Sequence, residues 1–479
     1  MRRLARIFGA ALACAQMAAV LAAAPASAQD FTHPKAMQLP EPAFQRPAAE
    51  DLQLTLDNGL VAYVAEDRRA PLFAINAYIG VGTGHGAPGA AEALAAALRR
   101  GPDAMTQEAF RAALVDMDAE YKVTLGHEEL QLSLDVLAED AAEAMKLMAS
   151  VISAPAFEAS ATASSVSQAP KGVDGGIDFA SSLQGAIDLF ESKLFEGHAY
   201  RRTAGAENSD SDPGSAAKAL HDSVVRGGNI TLAAAGDVDP DTTRQQIREL
   251  FSDIAAGSVD AESAFEPLAP RQSRSLQVAD VDRDQGWVVI GHELPVIPPE
   301  DEAALHVMDY ILGAYHLDSR LYRSSRELRG LTNDNSSFLQ PGIRGPGSYS
   351  FRTYGRPEAV RLLVDVTFRQ LDLIRDTLVT EDELFVAKGA LVDGIYAGHY
   401  ATGLDAARAY AAEWLRRGSH ERSASYPARI SAVTAEQVQA AAQKYIHPDR
   451  MVIAVVGPLD RIRSATAIEG EAQLEDYGK

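Results

Sequence analysis

Two apolar runs of the same shape, far apart in the chain, constrain its fold more than any other feature. Asn229 to Asp239 is N-I-T-L-A-A-A-G-D-V-D, and Arg450 to Asp460 is R-M-V-I-A-V-V-G-P-L-D. They align without a gap, which sets Gly236 and Gly457 221 positions apart. A short, unbroken apolar run of this kind suits a strand buried on both faces. A comparable offset lays Phe73 to Gly80 onto Trp287 to His292, and each of these strands precedes a helix-rich stretch. The pattern predicts a duplicated unit of about 220 residues closed by its glycine-ended strand. Length agrees, since 479 residues exceed the roughly 250 to 300 at which one hydrophobic core stops growing.

Within the first copy, Leu52 to Ala65 alternates around Asp57-Asn58-Gly59, which predicts a hairpin. Leu72 to Val81 is a second strand, and a glycine loop from Gly82 to Gly89 leads into a helix over Ala90 to Arg100. A helix over Gln107 to Met117, strands near Lys122 to Leu125 and Gln131 to Leu134, and a helix over Ala141 to Ile152 follow. Sheets and helices in this order define an α+β fold.

The chain opens with Arg2, Arg3 and Arg6, an apolar run from Ile7 to Ala24, and Ala26-Ser27-Ala28, the form of a secretory cleavage site. The expected organisation is a signal peptide over 1–28, a proline-rich extension over 29–48, a first domain over 49–254, a linker over 255–275, a second domain over 276–465 and an acidic tail over 466–479. Such a protein is exported, into the periplasm or beyond, with no membrane span after cleavage. The only cysteine, Cys14, lies in the removed segment, so the mature chain forms neither a disulfide nor a thiolate metal site. Net charge is -22, and about -25 without the three arginines of the leader. Such a surface disfavours nucleic acid and anionic membranes.

Several phrases in order along the chain resemble the pitrilysin and insulinase (M16) family of zinc peptidases. They are L-D-N-G-L at Leu56 to Leu60, G-H-A-Y-R-R-T-A-G at Gly197 to Gly205, A-A-A-G-D-V-D at Ala233 to Asp239, and S-R-L-Y-R-S-S-R-E-L-R-G-L at Ser319 to Leu331. The resemblance implies two similar domains, each a mostly antiparallel sheet covered by helices, closing like a clam around a peptide-sized chamber. Active members carry His-x-x-Glu-His on the helix after the glycine loop. Two histidines one turn apart hold zinc there, and the glutamate activates a bound water.

Here the five motif positions are Glu92, Ala93, Leu94, Ala95 and Ala96, with no histidine and with alanine at the place of the catalytic glutamate. The third ligand should fall near Ser167 to Val173, where S-Q-A-P-K-G-V offers no carboxylate. No catalytic residue and no metal site is therefore expected in this chain. His127-Glu128-Glu129 and His292-Glu293 are poor chelates, because neighbours on a strand face opposite sides. His85 reads as a solvated loop residue.

The resemblance further implies a substrate-gripping pair in the second domain. Arg326 matches the family's arginine, and Asn333 stands where a tyrosine would hold the oxyanion. The competing role for Arg326 is a helix-end ion pair. The function implied is that of a non-catalytic subunit that binds peptide in a chamber shared with a partner chain, which supplies the zinc. Assembly is expected as a heterodimer with that chain, or as a homodimer. The alternative is a stand-alone peptide-binding or scaffold protein. Two other readings fail. Gly84-His85-Gly86-Ala87-Pro88-Gly89 has the spacing of a dinucleotide-binding turn, but Pro88 removes an amide donor and no acidic strand end follows. The serines of Ser160 to Ser167 lack the G-x-S-x-G turn of a hydrolase and resemble a low-complexity loop.

Overall fold

The computed structural model describes residues 44–157, 182–201, 213–259, 265, 267–314, 317–465 and 474–478. Eleven strands among these residues form two sheets. The first comprises β1 (Gln53–Thr55), β2 (Val61–Glu66), β3 (Leu72–Ile79), β4 (Glu120–Leu125), β5 (Leu130–Leu137) and β6 (Ile230–Gly236), in the order β1-β2-β6-β3-β5-β4. The second comprises β7 (Ser275–Asp280), β8 (Gly286–Leu294), β9 (Asn335–Gln340), β10 (Gly347–Gly355) and β11 (Val452–Gly457), in the order β7-β11-β8-β10-β9. Without β1, the two orders are identical. In each sheet the last strand enters the middle, parallel to the first neighbour (β2 or β7) and antiparallel to the next (β3 or β8). The duplication expected from the two glycine-ended runs is therefore present in topology.

The glycine that ends each run has a steric cause. At Gly236 a Cβ would lie 2.1 Å from the Leu72 carbonyl oxygen, so any side chain would drive β6 away from β3. At Gly457 it would meet the Gly286 Cα at 3.0 Å.

Helices of the first half are α1 (Ala90–Arg100), α2 (Gln107–Asp116), α3 (Ala141–Ser153), α4 (Leu183–Leu194), α5 (Pro213–Val224) and α6 (Pro240–Phe251). Those of the second are α7 (Pro299–Asp309), α8 (Val360–Asp376), α9 (Glu381–Gly389), α10 (Gly403–Arg417), α11 (Glu421–Ser431) and α12 (Ala435–Tyr445). One face of each sheet packs against helices of its own half. Leu232 and Ala234 join residues of α1, α3, α5 and α6 in one core, while Ile453 and Val455 join residues of α7, α8 and α12 in another.

The opposite faces are covered by exchange. Helix α4 belongs to the first half but packs its Ala186, Phe190 and Leu194 against Val289, Val452, Ala454 and Val456 of the second sheet. Helix α10 belongs to the second half but sets Ala406, Ala407, Tyr410 and Ala411 against Tyr63, Tyr78, Ala233 and Ala235 of the first. The two helices are themselves equivalent, since Leu183 at the start of α4 falls on Leu404 at the same 221-residue offset. This exchange buries every residue of β6 and β11, and it is why both runs lack the polar alternation of a one-sided strand.

Candidate functional site

The degenerate metal helix sits where the sequence places it. Strand β3 ends at Ile79, the loop turns through left-handed Gly86 and Gly89, and α1 begins at Ala90. Ala93, Leu94, Ala95, Ala97 and Leu98 are buried in the core of the first half. Glu92 is the one motif position with a metal-ligating side chain. It is partly buried, and burial pushes its carboxyl above the ordinary range, opposed by the Arg201 guanidinium. A single carboxyl on a helix of alanine and leucine does not fit a zinc ion, which takes three or four N, S or O donors. Among the described residues, no group of three or more His, Cys, Asp or Glu could hold a metal. The segment expected to supply the third ligand, 167–173, lies outside the described residues, as do Ser160 to Ser167.

The glycine loop is held by an aromatic cluster, and here the structure corrects one reading. His85 is not a solvated loop residue: it is partly buried, its Nδ1 accepts the Gly82 N–H at 3.0 Å, and its ring meets Phe265 edge-on at 5.0 Å. Burial lowers its pKa. Phe265 packs on Tyr200, which in turn stacks flat on His127 at 4.4 Å. Burial depresses the His127 pKa to about 4, helped by Arg201 and His198, so the ring is neutral near pH 7.

Glu128, beside His127, carries a role that the sequence did not reveal. Its buried carboxylate accepts the N–H groups of Ile343, Arg344 and Gly345 at 2.9, 2.7 and 3.3 Å, and the Tyr200 hydroxyl at 3.0 Å. A carboxylate of the first half thus holds a loop of the second. Only the phrase G-H-A-Y, which supplies Tyr200, hinted at it. His292 is fully buried on β8; its Nδ1 donates to the Glu293 carbonyl at 2.7 Å, and its Nε2 has no partner among the described residues.

The pair proposed for substrate, Arg326 and Asn333, is brought together and is exposed. Arg326 lies on a π-helical turn over Arg323–Glu327 that follows the Ser319-capped turn Arg320–Tyr322. Its Nη1 donates to the Asn333 backbone carbonyl at 3.2 Å, and its guanidinium lies 5.4 Å from the centre of the Tyr322 ring. The contact uses the main chain of Asn333 and leaves its amide out. The helix-end ion pair is made by a neighbour, Arg323 with Glu327 at 3.5 Å, and not by Arg326. Arg326 therefore holds its own turn while presenting a cation at the surface.

Comparison with known proteins places this architecture. Residues 215–391 match the model of the peptidase M16 inactive domain. An uncharacterized zinc protease of Streptomyces coelicolor is 29% identical over 240 residues, which cover 48% of this chain and 50% of the relative. A second, from Mycobacterium tuberculosis, is 31% identical over 243 residues, covering 49% and 53%. The chain thus spans about half the length of the curated relatives it matches. Among solved structures, a peptidase M16 inactive domain from Pseudomonas fluorescens aligns with a TM-score of 0.69 at 21% identity, covering 85% of this chain and 98% of that one. A protease from Helicobacter pylori aligns with a TM-score of 0.70 at 14% identity, covering 85% and 99%. The structural likenesses establish the fold: two mixed sheets covered by helices. With the domain match and the named relatives, they bear out the resemblance drawn from the sequence: the chain is similar to M16 proteins, and its residues 215–391 are similar to their inactive domain.

Proposed function

We propose that this chain is the non-catalytic subunit of an exported M16-type zinc peptidase, binding peptide in a chamber it shares with a zinc-bearing partner chain. The observation that carries this reading is α1. Its motif positions are filled by Glu92, Ala93, Leu94, Ala95 and Ala96, and three of these are packed into the core. A metal helix rebuilt as a packing helix supplies no Lewis acid and no general base, yet the frame around it is intact. Arg326 supports a substrate role, since an exposed guanidinium can hold a peptide carbonyl or carboxylate.

The test is co-expression with an M16 chain that carries His-x-x-Glu-His. The expected result is a co-purifying heterodimer whose one zinc resides in the partner and whose peptide turnover falls at least severalfold on removal of this chain. Arg326→Ala should lower that turnover, mainly through KM. One tightly held zinc per molecule of this chain alone would overturn the reading. Peptide binding by this chain without any partner would favour the stand-alone binding protein.

A further inference from the structure

Apart from α1 and Arg326, the described residues line an open cavity of about 630 Å³ between exchanged helix α10 and helices α7 and α11 of the second half. Small-molecule sites commonly have volumes of roughly 300 to 1,000 Å³. One wall is apolar and aromatic, formed by Tyr310, Leu391, Tyr396, Tyr400, Ala412 and Tyr426. Four arginines line the other side: Arg408, Arg416, Arg417 and Arg422. In a chain of net charge -22 this concentration stands out.

Their counter-ions lie outside the lining. Arg408 pairs with Asp135 at 3.1 Å, Arg416 with Glu129 at 2.9 Å, and Arg417 and Arg422 with buried Glu302 at 2.9 and 2.6 Å. Five N–H donors per guanidinium exceed what these bonds use. The Nε–H of Arg408 is buried without a partner among the described residues. Three carboxyls do line the cavity. Glu413 is engaged by the Ser423 N–H at 2.9 Å and by His420 at 3.3 Å, and Asp405 is the least encumbered. Asp309 is buried and accepts the hydroxyls of Ser337 and Tyr349 on one oxygen, Oδ1, at 2.6 and 2.7 Å.

One turn before Asp309 on α7, His306 uses Nδ1 toward the Tyr426 hydroxyl at 3.1 Å. Burial, then Arg422, Arg429 and Arg417, lower its pKa to about 4, so the ring is neutral. Burial also raises the Asp309 carboxyl to about 6, and its Oδ1 is already occupied by the two hydroxyls. Donors therefore outnumber free acceptors around an apolar body.

We propose that this cavity is a binding site for a small amphipathic carboxylate, its aliphatic or aromatic body against the tyrosine wall and its carboxylate against the arginines. The inference is independent of any partner chain and of Arg326.

Calorimetric titration of the purified full chain tests it, with 4-phenylbutyrate as probe and 4-phenylbutan-1-ol and 4-phenylbutylamine as neutral and cationic analogues of similar body. The expected result is one site per chain, with the acid bound about tenfold or more tighter than the alcohol and the amine weaker still. Ala412→Phe fills the cavity and should abolish acid binding while the thermal midpoint stays near that of the wild type. Arg408→Gln should weaken the acid severalfold and leave the alcohol unchanged. The proposal is overturned if the acid does not bind at millimolar concentration, if the alcohol or amine matches it, or if Ala412→Phe binds it unchanged.

Discussion

The two exchanged helices solve one packing problem with opposite distributions of size. Phe190 of α4 and Ala411 of α10 are equivalent positions at the 221-residue offset. The strand registers make Gly291 on β8 equivalent to Tyr78 on β3, since Gly291 pairs with Val452 and Tyr78 with Thr231, its equivalent at the same offset. Over the second sheet the helix supplies the aromatic ring and the strand supplies the space, for a Cβ at Gly291 would meet Phe190 at 2.9 Å. Over the first, the strands supply the Tyr63 and Tyr78 rings, and the helix sets three alanines, Ala406, Ala407 and Ala411, beside a single buried ring, Tyr410. Close approach on the alanine side also permits a main-chain contact, in which the Thr231 hydroxyl donates to the Ala411 carbonyl at 2.8 Å. Its equivalent, Val452, has no such group. Interior packing conserves volume, and the residue type that provides it is free to move across the interface.

This comparison can be broken in graded ways, each read by chemical denaturation. Phe190→Ala removes the large partner and should cost about 3–5 kcal/mol. Adding Gly291→Ala should lower stability further, because its Cβ also meets the Tyr349 carbonyl oxygen at 2.4 Å. Rescue by the pair would show that the ring alone demands the glycine. Ala411→Phe, the mirror change, should cost about 1–3 kcal/mol through overpacking against the tyrosines. A neutral outcome would mean that the alanine face is loosely packed. Thr231→Val, which copies the second sheet, should cost about 1 kcal/mol by removing the hydroxyl that the Ala411 carbonyl accepts in addition to its helical N–H.

Acid should separate the two helices by the smallest margin. Glu413 on α10 has its pKa lowered; burial works against this, but hydrogen bonds from His420 and Ser423 outweigh it. Its contribution is present above the unfolded value near 4.5 and is lost as pH falls through the lower folded value. Glu191 on α4 is raised, chiefly by burial, with Arg201 opposing. Its contribution is present below 4.5 and lost as pH rises through the folded value. Hydrogen exchange below pH 4.5 should therefore accelerate in α10 before α4, and Glu413→Gln should erase the difference.

Much of the frame was legible. The hairpin about Asn58, strand β3 and helix α1 fall within a residue or two of their sequence-based bounds, because period, turn chemistry and helix formers agree there. The loss of the zinc motif was equally legible, since it rests on residue identities at fixed spacing. His85 was misread because a glycine-rich loop gives no sign that Phe265, distant in sequence, will cover it. Glu128, read from the sequence as a strand neighbour of His127, lies instead between β4 and β5, where the loop at Ile343 to Gly345 is brought to it.

The sequence by itself determined the duplication, the two central strands and the absence of a His-x-x-Glu-His helix, all of which follow from local pattern and residue type. Only the tertiary structure decided which sheet each helix covers. An apolar helix face specifies that it must be buried, and nothing in its own period names the surface that buries it. That choice, made twice in reciprocal fashion, doubly buries β6 and β11 and opens the arginine-lined cavity beneath α10.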